Sequence, residues 1–223
     1  ILWTLRGAIS HKLRTPLNGI LGSLAVCEEG LDGLSAEDIK EVVDMAVTSA
    51  RRLDDVLCDI DRFFGVSEDC GQQKTKCSLN ELPQILLQTA ANTPLQIHFG
   101  HRNRADADEA KPYLCLSSEI VSEILEELFT NSRRFHPRGK PSITFSTSIS
   151  EGQLVIYFED NGCSLEPHEL ARIMQPFYQA ESSQNTGEMA GGGLGLSTIS
   201  RILWSVGGDF DVCNRADQEG LRV

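Results

Sequence analysis

The sequence predicts two parts: an α-helical hairpin that forms a four-helix bundle on dimerisation, and an α/β domain that follows it. Apolar residues recur at helical spacing up to about residue 65, whereas helical stretches alternate with short β-prone runs after about residue 77. We therefore place the hairpin at 1–65, a linker at 66–77 and the α/β domain at 78–223. The 223 residues are enough for two small domains, each with its own core.

The second helix of the hairpin carries the clearest pattern. The stretch "LSAED" offers Ser35 as an N-cap with Asp38 three residues later, which is a helix start signal. Beyond it, apolar residues step alternately by four and three, as in the seams of coiled coils and four-helix bundles. These residues are Ile39, Val43, Ala46, Ala50, Leu53, Leu57, Ile60 and Phe64.

The first helix is predicted from an apolar face made of Ile9, Leu13, Leu17, Ile20 and Leu24. The glycines and polar residues of "EEGLDGLS" supply the turn to the second helix. Two helices cannot bury seams of this length alone, so we expect two copies of the hairpin to pair as a four-helix bundle.

The α/β domain is predicted from alternating signals. Helical patterns lie near 79–92, 117–135, 166–174 and 194–206. The β-prone runs between them are "LQIHF", "PYLCL", "SITFSTSI", "QLVIYFED" and "DFDVC". Two of these runs flank "SEGQ", which is typical of an antiparallel hairpin.

Composition excludes some functions. The net charge of −12 argues against general nucleic-acid binding, since no basic field can displace phosphate counterions. The seven cysteines form no CxxC pair; free thiols are favoured over a Cys70–Cys77 bridge. No run has the ~18 apolar residues of a membrane span. The chain begins inside an apolar pattern, so we interpret it as a piece of a longer protein whose membrane tether lies elsewhere.

A histidine in the first helix is the first candidate for chemistry. In "SHKLRTPLNGI", Pro16 removes an N–H and crowds the carbonyl of Lys12, so we expect the helix to bend there. His11 lies off the apolar face, where an exposed imidazole is an accessible nucleophile. An ordinary surface histidine fits the same residues, and both interpretations stay open.

Three features of the α/β domain suggest a nucleotide. "GGGLGLSTIS" places glycines just before a helix that starts near Leu194, which is typical of a phosphate cradle but also of a flexible loop. Asp160 ends a β-run in "YFEDNG" and can accept from an exocyclic amine, or simply form a turn. Glu127 and Asn131 stand four apart in "EELFTNSRRF", a spacing of oxygen ligands that suits Mg²⁺, and Arg134 can neutralise a phosphate. A solvated polar face is the alternative.

Together these motifs resemble the sensor histidine kinases of two-component signalling. "SHKLRTPLNGI" resembles their H-box, "TNSRRF" their N-box, "EDNGCS" their first glycine box, "QPFYQA" their phenylalanine box and "GGGLGLSTISRIL" their second glycine box. The H-box is most similar to that of hybrid-type bacterial kinases. The resemblance spans nearly the whole chain and implies a dimerisation and histidine-phosphotransfer hairpin followed by an α/β sandwich ATPase domain of the histidine kinase type.

The resemblance also implies a role for each residue. His11 would be the phospho-acceptor, receiving the γ-phosphoryl group of ATP across a homodimer. Asn131, with Glu127, would hold Mg²⁺, and Asp160 would read the adenine amine. The other ATP-binding residues would be Arg134, Gly162, Gly191, Gly193 and Gly195. The phosphoryl group would pass to the aspartate of a response-regulator receiver domain, and the chain would be the cytoplasmic portion of an inner-membrane sensor.

The chain departs from the family pattern at several positions. Lys12 replaces the acid that usually takes the histidine's proton, and an ammonium is a poor acceptor, so we expect phosphorylation of His11 to be slow or absent. Ser164 replaces the second glycine of the first glycine box, Glu127 replaces a common asparagine, and residues 178–190 lack Lys and Arg. Thr15 is retained, either to hold a hydrolytic water, as in the family, or as a plain surface threonine.

Two hypotheses follow. One is an active autokinase weakened by Lys12 and Ser164. The other is a kinase-impaired signalling module that regulates another sensor kinase by direct hetero-association through its helical hairpin. A mismatch-repair, gyrase or chaperone ATPase shares the nucleotide fold, but such a protein has no need of a histidine hairpin.

Overall fold

The computed structural model describes residues 2–29, 34–69, 76–91, 93–100, 103–104, 113–150, 153–180 and 192–223. The hairpin consists of α1 (Leu2–Glu29) and α2 (Ala36–Asp69), so α2 continues past the predicted end of the hairpin. Helix α1 runs without interruption through Pro16, and the bend expected there stays a prediction. No helix in these ranges is long and apolar enough to cross a membrane.

Helix α2 starts as the sequence predicts. The backbone N–H of Ser35 donates to Asp38 Oδ2 over 2.9 Å, and the N–H of Asp38 donates back to Ser35 Oγ over 3.1 Å. This reciprocal pair satisfies donors that the first turn leaves without helical partners. It confirms the predicted cap.

Much of the hairpin's apolar seam is exposed in the single chain. Leu17 is 44% exposed, Leu24 55%, Val43 47% and Leu57 44%. Exposed leucines in a row on packed helices mark a surface suited to a partner. The exposure agrees with the expectation that one hairpin cannot bury its seams alone.

The α/β domain contains four helices and eight strands within the described residues. The helices are α3 (Leu82–Ala90), α4 (Ser118–Phe135), α5 (Pro167–Leu170) and α6 (Gly195–Ser205). The strands are β1 (Cys77–Ser78), β2 (Gln96–Phe99), β3 (Asn103–Arg104), β4 (Tyr113–Leu114), β5 (Ser142–Ser150), β6 (Gln153–Glu159), β7 (Cys213–Asn214) and β8 (Leu221–Arg222).

The main sheet has the order β2-β5-β6-β8-β7, and β3 also pairs with β5. Strands β5 and β6 form the predicted antiparallel hairpin, whereas β2 and β3 run parallel to β5. β1 and β4 form a separate two-stranded sheet. The predicted run "DFDVC" is mostly wrong as a strand, because only Cys213 of it pairs, opposite Arg222. The predicted helix at 166–174 is shorter, ending at Leu170.

One apolar core joins the helices to the sheet. Leu86 of α3, Phe129 of α4 and Ile199 of α6 are at most 1% exposed and belong to the same cluster as Ile143 and Phe158 of the sheet. A layer of helices over a sheet is the α/β sandwich that the resemblance implied.

The hairpin packs against the α/β domain through a smaller cluster. Phe63 of α2 packs with Phe177 and Leu194, and Ile60 is partly buried against them. The guanidinium of Arg201 donates to the carbonyl oxygen of Phe63 over 2.7 Å and lies 4.4 Å from the centre of its ring. This contact brings the hairpin against the start of α6.

Candidate active site

A cavity of about 870 Å³ lies between the hairpin and the α/β domain. The cavity is large enough for a nucleotide-sized ligand. Gly191 lies outside the described residues. All the other candidates from the sequence line this cavity: His11, Lys12, Thr15, Glu127, Asn131, Arg134, Asp160, Gly162, Gly193 and Gly195.

Asp160 follows the last residue of β6 and is 8% exposed. Its Oδ1 accepts from the backbone N–H groups of Gly162 over 2.9 Å and Leu221 over 3.1 Å. Its Oδ2 accepts from the hydroxyl of Ser132 over 3.0 Å. Three donors therefore fix a buried carboxylate at the cavity wall. Because a carboxylate oxygen accepts about two hydrogen bonds, Oδ2 can also accept from an amine.

The oxygen ligands predicted for Mg²⁺ lie together on α4. Asn131 Nδ2 donates to Glu127 Oε1 over 3.2 Å, and Glu127 Oε2 lies 3.6 Å from the guanidinium of Arg62. Burial raises the pKa of Glu127, and Asp59 raises it further, while Arg62 and Arg134 oppose the rise. A carboxylate and an amide oxygen on one cavity wall fit Mg²⁺, which takes one or two protein oxygens together with substrate phosphates.

The glycine loop approaches other groups too closely for a side chain. Gly193 has φ +75°, and a Cβ there would lie 2.8 Å from the carbonyl oxygen of Tyr178. A Cβ at Gly195 would collide with the carboxylate of Glu127. The positive φ of Gly193 favours glycine there for conformation and space, whereas at Gly195 only the close approach of the Glu127 side chain does so. The first turn of α6 therefore meets the Mg²⁺ candidates directly.

The histidine is on the hairpin side of the cavity. His11 is exposed, as an accessible nucleophile must be. The hydroxyl of Thr15 donates to the carbonyl oxygen of His11 over 3.2 Å. Lys12 is half-buried, and this burial lowers its pKa below the ordinary lysine value of 10.5. Lys12 therefore loses its proton more easily than the sequence alone suggested.

Sequence reasoning missed four polar contacts at or near the site. Ser132 directly follows Asn131, so its helical position was visible, but its hydrogen bond to Asp160 spans 28 residues. Asp59 and Arg62 belong to α2, and their partners Gly192 and Glu127 lie in the α/β domain, so no local pattern in α2 marks them. At Ser164, which replaces a family glycine, the hydroxyl accepts from the N–H of Gly220 over 3.3 Å. The serine therefore contributes a hydrogen bond to the loop.

Comparison with known proteins agrees with this geometry. Residues 117–223 match the family described as Histidine kinase-, DNA gyrase B-, and HSP90-like ATPase. Residues 6–63 match the His Kinase A (phospho-acceptor) domain. Fold and cavity thus define a phospho-acceptor hairpin joined to an ATP-binding domain. The chain belongs to the sensor histidine kinases.

Curated relatives are similar over nearly all of this chain. Sensor protein TorS of Escherichia coli is 28% identical over 91% of this chain and 21% of its own length. Autoinducer 2 sensor kinase/phosphatase LuxQ of Vibrio cholerae is 31% identical over 92% of this chain and 24% of its own length. Aerobic respiration control sensor protein ArcB of Escherichia coli is 26% identical over 94% of this chain and 26% of its own length. The chain therefore spans about a quarter or less of these proteins.

Solved structures show the same fold. Histidine kinase ThkA, in complex with response regulator protein TrrA, has a TM-score of 0.65 at 16% identity, over 100% of this chain and 60% of that one. Acinetobacter baumannii histidine kinase AdeS has a TM-score of 0.56 at 16% identity, over 95% of each chain.

Proposed function

We propose that this region is a protein histidine autokinase that transfers the γ-phosphoryl group of ATP to His11. The observation that carries the proposal is the single cavity lined by both His11 and the nucleotide candidates Asn131, Asp160 and Gly193. A shared cavity holds donor and acceptor near each other, which is how positioning lowers a transfer barrier.

Each wall of the cavity has its own part in binding. Asp160 Oδ2 accepts from the adenine amine, since Oδ1 already accepts from two backbone groups. The N–H groups at the start of α6 and the guanidinium of Arg134 stabilise phosphate charge. Glu127 and Asn131 hold Mg²⁺, which when bound neutralises phosphate charge.

In the transfer step the hairpin supplies the nucleophile, His11. The bond from a His11 ring nitrogen to phosphorus forms as the bond from phosphorus to the bridging oxygen of ADP breaks, and the imidazole must lose a proton. Lys12, the neighbouring residue, takes the place of an acid, and in its ammonium form it has no lone pair with which to accept that proton. We therefore propose that the autokinase is weakened.

Partners follow from the exposed hairpin and from the family. We propose a homodimer that buries Leu17, Leu24 and Leu57, which are exposed in the single chain. The phosphoryl group then passes to the receiver aspartate of a response regulator; the solved complex of ThkA with TrrA supports such a partner. The complete protein is proposed to be a membrane-anchored sensor with this region in the cytoplasm.

Incubation with γ-labelled ATP and Mg²⁺ tests the proposal. Phosphohistidine is acid-labile and stable to alkali, so we expect a weak label with these properties on the wild-type chain and none on His11→Ala. His98→Ala, which removes an exposed histidine of β2 outside the cavity, is the matched control and keeps the label. Equal labelling of His11→Ala and wild type would exclude His11 as the acceptor.

A kinase-impaired module is the second candidate, and Lys12 beside His11 is the observation that favours it. The hairpin would then pair with another sensor kinase and alter that kinase's activity. Mixing the chain with an active kinase and following the latter's autophosphorylation tests this role. If the autophosphorylation rate of the active kinase stays unchanged at a saturating concentration of this chain, the regulatory role is rejected.

A further inference from the structure

A carboxylate from the hairpin contacts the glycine loop of the α/β domain. Asp59 Oδ2 accepts from the backbone N–H of Gly192 over 3.1 Å, a contact between residues 133 positions apart. A Cβ at Gly192 would lie 2.5 Å from the same oxygen, so this approach needs a glycine. Both residues line the large cavity.

The contact uses a group that the nucleotide also needs. Gly192 directly precedes Gly193 in the glycine loop and lies three residues before α6, so its N–H group adjoins the donors at the start of α6 that are assigned above to the phosphates. An N–H that donates to Asp59 is not free to donate to a phosphate oxygen. In addition, a charged carboxylate repels a polyphosphate at short range.

The surroundings of Asp59 disfavour the charged form of its carboxylate. Burial raises the pKa of Asp59, opposed by the hydrogen bond from Gly192 and by the charges of Arg62 and Arg134. Glu127 lies close enough that Asp59 also raises the pKa of Glu127. Two carboxylates and two guanidiniums therefore share this end of the cavity, and added phosphate charge changes their balance.

We propose that Asp59 is an affinity-determining residue of the nucleotide site, which competes with nucleotide phosphates for the N–H of Gly192. The inference rests on the proposed function and adds a residue from outside the family motifs. ATP binds fully only when the carboxylate of Asp59 withdraws. Asp59 thus selects against phosphorylated ligands while leaving the adenine end untouched.

The competition couples nucleotide binding to docking of the hairpin. Asp59 sits on α2 beside Ile60 and Phe63, which pack on the α/β domain, and Arg201 holds the carbonyl of Phe63. Because coupling is reciprocal, a ligand that displaces Asp59 weakens docking, and weaker docking favours the ligand.

Calorimetric titration of the chain with ATP and with adenosine tests the proposal. Asp59→Ala removes the competitor, so we expect ATP to bind about tenfold more tightly, the size of one charge-assisted hydrogen bond. Asp59→Asn keeps an acceptor but loses the charge and falls between Asp59→Ala and wild type. Adenosine carries no phosphate, so its affinity stays unchanged in both variants.

Two further variants make the test decisive. Asp61→Asn removes an exposed acid of α2 outside the cavity and leaves ATP affinity at the wild-type value. Arg201→Gln removes the hydrogen bond to the carbonyl oxygen of Phe63, which lies outside the cavity, and so weakens docking of the hairpin. We expect it to raise ATP affinity, as Asp59→Ala does.

The outcomes separate this inference from the proposed function. Equal ATP affinity in wild type and Asp59→Ala, or equal tightening of ATP and adenosine, overturns the role of Asp59 while leaving the nucleotide site intact. Failure of every variant to bind either ligand overturns the proposed function itself, and the role of Asp59 with it.

Discussion

Replacing Lys12 by glutamate is expected to raise the initial rate of His11 phosphorylation by about 10²–10⁴-fold, the usual contribution of a positioned general base. Lys12 is the next residue along α1 from His11, and both line the cavity. A carboxylate there accepts the imidazole proton and stabilises the imidazolium that a cationic lysine opposes. The measurement is the initial rate of acid-labile labelling from γ-labelled ATP.

The pH dependence of the two chains distinguishes this cause from others. Burial lowers the pKa of Lys12, so a growing fraction becomes the neutral amine as pH rises toward the ordinary value of 10.5. The wild-type labelling rate therefore rises with pH over this range. The glutamate is already ionised at neutral pH, so the Lys12→Glu rate lacks this rise.

Arg14→Glu is the matched control for Lys12→Glu. It makes the same charge change on α1 at an exposed position outside the cavity. We expect Arg14→Glu to label at the wild-type rate. Equal rates in Lys12→Glu and Arg14→Glu, with ATP bound to both, would show that a defect other than the missing acid limits the autokinase.

Asp160→Asn is expected to weaken ATP binding by about 100-fold. The neutral amide lacks the negative charge that strengthens the hydrogen bond from the adenine amine. Its NH₂ group is itself a donor and cannot accept from the donors that surround the carboxylate. These donors are the N–H groups of Gly162 and Leu221 and the hydroxyl of Ser132. Hydrogen bonds to a charged group are worth about 1.5–3 kcal/mol each, and about 1.4 kcal/mol is tenfold in affinity. Titration calorimetry with ATP measures the loss.

Glu159→Gln is the control for structural damage. Glu159 is the neighbouring buried carboxylate, but it pairs with Arg222 and does not line the cavity. We expect it to lower the stability of the domain while leaving the ATP dissociation constant near that of wild type. If Asp160→Asn binds ATP as well as Glu159→Gln does, Asp160 does not read the base.

Local patterns predicted most of the fold. The four-three spacing of apolar residues predicted α2, and the Ser35–Asp38 pair gave its first residue, because both depend on neighbours a few positions apart. Alternation around "SEGQ" predicted the β5–β6 hairpin for the same reason. The "DFDVC" run failed because residues with β propensity need a paired partner, and only its last residue finds one.

The site was predictable in its parts but not in its contacts. Glycines, Asn131 and Asp160 are visible because the chemistry of nucleotides restricts residue type at short spacing. The Asp59–Gly192 and Asp160–Leu221 hydrogen bonds span 133 and 61 residues, so they exist only once the chain has folded. Burial of Lys12, which changes its proton affinity, is also a property of tertiary structure.

Hydrogen–deuterium exchange with and without Mg²⁺ and ATP tests most directly whether these separate motifs form one nucleotide cavity beside His11. We predict joint protection of the backbone amides at 160–162 and 192–195, which follow β6 and lead into α6, with smaller changes at residues 8–15 across the cavity. In the stretch 43–47, which lies near the start of α2 and does not line the cavity, exchange is predicted to stay the same. Protection at only one of the two segments, or at neither with ATP in saturating excess, would contradict a shared site.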